Sequence, residues 1–218
     1  MCNKVKFNDV NDLPTILFEN SDYLAVSKPA GWLSIPPREP KPEVPILSHW
    51  LREFTPSQSA WVIHRLDRFT SGVMLFAKTE AAQKEGTRWF ETRAVKKIYH
   101  FLATPLPYRP ALQIKSDVDG KSALTLFEVI EKSGNSFYGK ATPLTGRFHQ
   151  IREHAQVAGF PLLGDKAYGG STSLALKSGL LEIPRVCLHA YSIETPLGKI
   201  EAPLSEDLKT LWSTIKND

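Results

Sequence analysis

With 218 residues, 42% of them apolar and 23% charged, the chain is long enough for one sizeable core and reads as a single globular domain over residues 1–218. No apolar run approaches the roughly 20 residues of a membrane span. Residues 1–6 lack a signal-peptide core, and Cys2 and Cys187 fit neither a metal or redox pattern nor a disulfide framework, which together predict a cytoplasmic protein with no membrane partner. The net charge of +4 is uneven: residues 1–60 carry 6 Lys and Arg against 7 Asp and Glu, leaving 21 against 16 beyond them, an excess that favours a polyanionic partner.

Taken in order, residues 16–32 read as a strand, an Asn20-Ser21-Asp22 turn, a second strand and a break at Pro29 and Gly31, a hairpin in which Lys28 has a structural part. Pro36, Pro37, Pro40, Pro42 and Pro45 predict an extended surface loop, either a specificity loop or a stiff spacer. Residues 46–54 place Leu47, Trp50, Leu51 and Phe54 on one helical face, with His49 off it in solvent. Trp61-Val62-Ile63 and residues 73–77 read as buried strands. Between them, His64-Arg65-Leu66-Asp67-Arg68-Phe69-Thr70-Ser71-Gly72 reads as a charged connection on their rim, with Thr70-Ser71-Gly72 as a tight turn that fixes the Asp67 carboxylate.

Thr79 caps a predicted helix from residue 80 to about 93, packed through Ala81, Ala82, Trp89 and Phe90. Residues 96–103 follow as a strand. Residues 121–129 alternate polar and apolar and pair with 137–141 as a second hairpin. A helix starts at or near Thr145 and ends at Gly159 and Pro161; Ile151, Ala155 and Ala158 form its apolar face, and Arg147, His149 and Arg152 lie in its first turn. Residues 185–194 read as a strand with Cys187 a buried thiol and His189 a satisfied core histidine. Pro196-Leu197-Gly198 turns into a return strand at 200–202, and a short helix at 207–215 closes the chain.

On residue types alone, the Asp67 segment is a polar loop with an Asx-turn and solvated arginines. The string His-Arg-Leu-Asp-x-x-Thr-Ser-Gly followed by an apolar strand resembles the catalytic signature of the RluA-type pseudouridine synthases. Lys28-Pro29-Ala30-Gly31, Lys97-Ile98-Tyr99, Thr145-Gly146-Arg147-Phe148-His149-Gln150-Ile151-Arg152 and Gly164-Asp165-Lys166-Ala167-Tyr168-Gly169 are similar to further motifs of that family, so the resemblance covers most of the chain. Where many relatives continue with Val-His-Pro, this chain has Ser34-Ile35-Pro36-Pro37, and a contact made by that His is not carried over.

The resemblance implies an α+β fold: one catalytic domain with a mixed, largely antiparallel central sheet, flanking helices and loops, and a central RNA-binding cleft. It implies an enzyme that detaches uracil from ribose and rejoins it through C5, with no cofactor and no metal. The target uridine is flipped out, and Asp67 acts as nucleophile or as base on the sugar. Arg65 fills the vacated space, Tyr99 stacks on uracil, and Arg152 pairs with Asp67 to keep it ionised, an effect of roughly 1–3 units at about 4–6 Å. Ile151 and Leu66 line the pocket; His64, Arg68, Thr70, Arg147, His149 and Gln150 join RNA binding and flipping.

Plainer alternatives stand beside these roles. Tyr99 can be a strand residue at the core edge, and Arg152 can form a surface ion pair with Glu153 or Glu128. A non-catalytic RNA-binding module, a hydrolase using His64 with Asp67, or a metal held by His149, His154 and Asp165 are the competing classes. About 15 residues precede the first motif, too few for a folded domain, so the expected substrate is a tRNA or a compact rRNA stem-loop and the expected state a monomer.

Overall fold

The structure, a computed structural model, describes residues 13–39, 43–54 and 60–218; Cys2, Pro40, Pro42 and the Phe54 side chain lie outside the described residues. In chain order the elements are β1 (Thr15–Glu19), β2 (Tyr23–Lys28), α1 (Leu47–Trp50), β3 (Trp61–Val62), β4 (Ser71–Ala77) and α2 (Glu80–Glu91). They continue with β5 (Lys96–Ala103), β6 (Ala111–Val118), β7 (Lys121–Ser133), β8 (Ser136–Pro143) and α3 (Gln150–Val157). The last are β9 (Ser173–Leu176), β10 (Gly179–Glu182), β11 (Leu188–Thr195), β12 (Gly198–Glu201) and α4 (Glu206–Lys216). The chain divides into two compact units, one reaching to Lys96 and taking in Ala190–Pro203, the other made of Lys97–His189 and Leu204–Asp218. The predicted α+β, mostly antiparallel class holds in both.

In the first unit β1, β2 and β4 pair antiparallel in that order. Asn20 makes the predicted turn: its side-chain oxygen accepts from the N–H groups of Asp22 (2.9 Å) and Tyr23 (2.7 Å). All seven residues of β4 are buried, so its apolar run is continuous rather than alternating. Trp61-Val62-Ile63 is not the buried strand its composition suggests. Only Trp61 and Val62 pair, at the end of β4, and Trp61 is 37% exposed, because the chain leaves the sheet after two residues. The helix expected over 46–54 shortens to α1 followed by a 3-10 turn at Leu51–Phe54, with Leu47 and Leu51 buried and His49 exposed. Thr79 caps α2, its hydroxyl accepting from the Ala82 N–H at 3.2 Å. Ala82, Gly86 and Trp89 form the buried face of α2, whereas Ala81 is exposed.

In the second unit β5, β8, β7 and β6 pair antiparallel in that order. Successive residues of a strand point to opposite faces, so Phe101 and Leu102 enter two different cores. On the Phe101 side, Phe101, Phe127, Phe137 and Phe160 meet mostly edge to face, joined by Ile151 and Ala155 of α3. On the Leu102 side, Leu163, Leu181 and Cys187 pack with Leu208, Leu211, Trp212 and Ile215 of α4. Cys187 is the buried thiol expected, and burial pushes its pKa up to about 12, against the pull of the Arg185 charge, which makes it inert. A bidentate pair from Arg185 to Asp207, both buried, anchors the start of α4.

Helix α3 starts five residues later than Thr145. Arg147 and His149 therefore precede it, and only Arg152 of the expected trio lies in its first turn. Under it runs a polar chain: Gln150 Nε2 donates to Thr125 Oγ1 (2.9 Å), and the Thr125 hydroxyl faces His154 Nδ1 (2.9 Å). Because His154 Nε2 faces the Ser116 carbonyl at 3.4 Å, it carries the proton and Nδ1 accepts. Burial lowers the His154 pKa, opposed by the Ser116 carbonyl and the Glu153 charge. The unfolded chain thus binds a proton near pH 6.5 that the folded chain refuses, so this group's contribution is present at higher pH and is lost as pH falls below about 6.5. Chemical-denaturant titrations at about pH 8 and about pH 5.5 should show wild type losing more stability than His154→Gln. Equal losses would place the titration elsewhere.

Candidate active site

The first unit holds the Asp67 loop from several directions. The Lys28 ammonium is fully buried and its three protons have three carbonyl acceptors at hand: Pro29 (3.0 Å), Trp32 (3.0 Å) and Arg68 (3.1 Å). Gly31 and Arg68 bond twice more, Gly31 N–H to Arg68 O at 2.8 Å and Arg68 Nε to Gly31 O at 3.0 Å. Ser34 clamps the residue before Asp67: its hydroxyl donates to Leu66 O (2.8 Å) and accepts from Leu66 N–H (3.2 Å). His64 Nε2 accepts from the Leu75 N–H at 2.9 Å, and its ring stacks on Phe90 at 4.7 Å. Thr70 N–H closes a turn onto Asp67 O at 3.1 Å.

The tight turn therefore lies at 67–70, while Ser71 and Gly72 already belong to β4. The Thr70 hydroxyl does not bond Asp67; it is buried without a hydrogen-bond partner among the described residues. Through this loop exposure alternates, with Arg65 exposed, Leu66 buried and Asp67 half-buried. Arg68 lies over the Phe69 ring at 4.9 Å. Ser34 is the positioning residue that sequence reading passed over, and its signal was the very departure noted there, a hydroxyl in the segment after Lys-Pro-x-Gly.

The second unit holds the other candidates. Tyr99, opposite Ala141 across β5 and β8, is half-buried against the phenylalanine core. Lys97 Nζ donates to Thr145 O at 3.1 Å, and burial lowers its pKa. Gln150 is buried: its Oε1 accepts from the Thr145 hydroxyl (2.7 Å) and the Arg147 N–H (3.1 Å), while Nε2 donates to Leu124 O (3.0 Å) as well as to Thr125. Ile151 is buried in the core.

Arg152 corrects its plainer alternative. Its carboxylate neighbour in this unit is neither Glu153 nor Glu128 but Asp165, reached by Nε and Nη2 at 2.7 Å each, with the Asp165 side chain fully buried. Its guanidinium also lies 5.0 Å from the centre of the Tyr168 ring. The glycine before Asp165 serves this geometry: Gly164 has φ +77, and any Cβ there would fall 1.8 Å from Arg185 O. His149, His154 and Asp165 do not gather as a metal set; among the described residues no three His, Cys, Asp or Glu side chains do. Removing Asp165 would leave Arg152 a nearly buried, half-compensated charge, so Asp165→Ala should cost about 3–5 kcal/mol, read as a fall in the urea midpoint. A loss below about 1 kcal/mol would mark the pair as a solvated one.

Residues 22–157 match the family model described as RNA pseudouridylate synthase. The chain is 33% identical over 200 residues to the dual-specificity RNA pseudouridine synthase RluA of Yersinia pestis, covering 84% of this chain and 95% of that protein. It is 35% identical over 195 residues to the protein of the same name from Pasteurella multocida, covering 82% and 84%. Among solved structures, human RNA pseudouridylate synthase domain containing 4 superposes with a TM-score of 0.74 at 19% identity, covering 92% of each chain, a likeness of fold. With the family's motifs lying on the clamped Asp67 loop and on the Arg152 helix, and a third of residues shared over most of its length, the chain belongs to the RNA pseudouridylate synthase family.

Proposed function

We propose that this pseudouridine synthase acts on uridines of tRNA or rRNA and that Asp67 is its catalytic carboxylate. The N1–C1′ bond of uridine breaks, the ring turns, C5 bonds to C1′, the C5 proton leaves to solvent and the freed N1 takes up a proton in its place. Atoms and electrons balance within the nucleotide, so no outside oxidant or group donor enters. The observation that supports Asp67 is the density of main-chain anchors on its loop: Lys28, Gly31, Ser34 and His64 all fix backbone between Leu66 and Leu75. A loop of solvated charges needs no such anchoring, whereas a group that must meet a sugar carbon within fractions of an ångström does.

In this reading Arg65, exposed, takes the space of the flipped uridine; Tyr99 stacks on uracil; Arg152 supplies the counter-charge; Leu66 and Ile151 shape apolar walls. Arg147, His149 and Arg68 contact RNA, while His64 and Gln150, whose side chains bond inside the protein, act by positioning, and Thr70 acts through the main-chain N–H that closes the turn onto Asp67. The relatives are named as dual-specificity enzymes, which argues for assaying more than one RNA class. Tritium release from 5-tritiated uridine in separate tRNA and rRNA pools, with mapping of pseudouridines in cells with and without the gene, tests the proposal. Release from neither pool would overturn the substrate assignment.

A further inference from the structure

We propose that Phe148 is a stacking platform for an unpaired base of the substrate RNA, so that the substrate offers a single-stranded nucleotide at this point. The proposal rests on RNA being the substrate. Phe148 occupies the position that the Thr-Gly-Arg-x-His-Gln-Ile-Arg motif leaves open, and it is 64% exposed. Its ring stacks on His149 with centroids 3.7 Å apart and planes 21° apart, so one face is covered and the other is turned to solvent.

The stack is rooted in the protein. His149 Nδ1 meets the Tyr168 hydroxyl at 3.2 Å and its ring stands edge-on to Tyr168 at 5.7 Å. Tyr168 lies under the Arg152 guanidinium, and Arg152 is held by buried Asp165. The backbone adds a second constraint. Gln150 N–H bonds Arg147 O at 3.3 Å, closing a turn in which His149 stands third with φ 54 and ψ 16, a left-handed conformation that such turns usually give to glycine. Arg147 N–H bonds back to Gln150 Oε1, so the turn is closed from both ends and Phe148 sits at its apex.

Of the other exposed apolar side chains, Phe69 lies under the Arg68 guanidinium, and several offer no supported ring face of this kind. Leu13, Ile130, Val157 and Leu180 are aliphatic, and Tyr108, fully exposed, has no ring partner among the described residues. Scattered exposed residues of that kind are ordinary. A held, stacked Phe-His pair beside the exposed Arg147 has instead the two parts of a single-strand contact: a π-face for any base and a cation for the phosphate next to it. A base within a duplex has its faces already occupied, which is why the surface selects an unpaired nucleotide.

Fluorescence anisotropy of labelled RNAs on the full chain tests this. Single-stranded oligoadenylate, which offers no uridine to the reaction, is compared with an oligoadenylate–oligouridylate duplex at one salt concentration. Phe148→Ala should weaken single-strand binding about 5- to 100-fold and leave duplex binding within about 3-fold, while Phe148→Trp should stay near wild type on both. Unchanged single-strand affinity in Phe148→Ala, or an equal loss on the duplex, would overturn the platform. A Phe148→Trp as weak as the alanine variant would also overturn it, since the larger ring keeps the stacking face. Tritium release by wild type is measured separately, so failure of the pseudouridine assignment and failure of the platform give different results.

Discussion

Asp67→Asn should reduce tritium release by about 10⁴-fold or more while RNA affinity stays within about 3-fold, because the carboxylate supplies chemistry and phosphate contacts supply most of the binding. Asparagine keeps the size and one acceptor oxygen of the side chain, and the anchors that hold the loop are made by Lys28, Gly31 and Ser34 to main-chain atoms at 66 and 68. The variant should therefore fold and bind. Single-turnover assays at saturating enzyme separate the two quantities. Activity within about 100-fold of wild type would take the central role from Asp67, and a matching loss of affinity would make it a binding residue.

Gly72→Ala should be the most damaging single methyl group in the first unit, at about 4 kcal/mol or more. Two separate penalties combine. Gly72 has φ +114, a conformation that L side chains avoid, and a Cβ there would fall 2.2 Å from Ala190 O and 2.6 Å from Ala190 N. Those atoms belong to β11, the neighbour of β4 in the sheet, so neither a rotamer change nor a flexible side chain can relieve the contact. Gly120→Ala is the comparison: φ +66 but nothing within 4 Å of the new carbon, for a cost near about 1 kcal/mol. Thermal unfolding of the two variants checks the order, and similar losses for both would show that close approach at Gly72 is not what matters.

Local chemistry explains which parts of the fold were legible. The first hairpin and α2 were readable because Asn20 and Thr79 each bond main-chain N–H groups within three residues. Strand β6 was not read from the sequence, although Asp119 and Gly120, both with positive φ, are a hairpin signal between β6 and β7; prolines at 105, 107 and 110 precede it. In the β9–β10 hairpin Leu174 and Leu176 alternate with Ser173 and Ala175 for only four residues, too short a rhythm to stand out. Thr145 looked like a helix cap, but its hydroxyl serves the Gln150 side chain and one more turn intervenes.

The candidate site divides the same way. Asp67 and Arg152 stand out as charges in dense polar strings, yet their roles came from resemblance, since spacing alone would also produce a solvated loop. The Asp165 partner of Arg152, 13 residues away, and the 32-residue reach of Ser34 to Leu66 are tertiary facts with no local sequence rhythm.

The anchors around Asp67 also bear on how such an enzyme can diverge. Lys28 reaches the main-chain carbonyl of Arg68, and Ser34 the peptide groups of Leu66. Such a grip is blind to the side chains it holds. An exposed position such as Phe69 can exchange its side chain over generations, and with it the preferred RNA, without the nearby carboxylate losing its place.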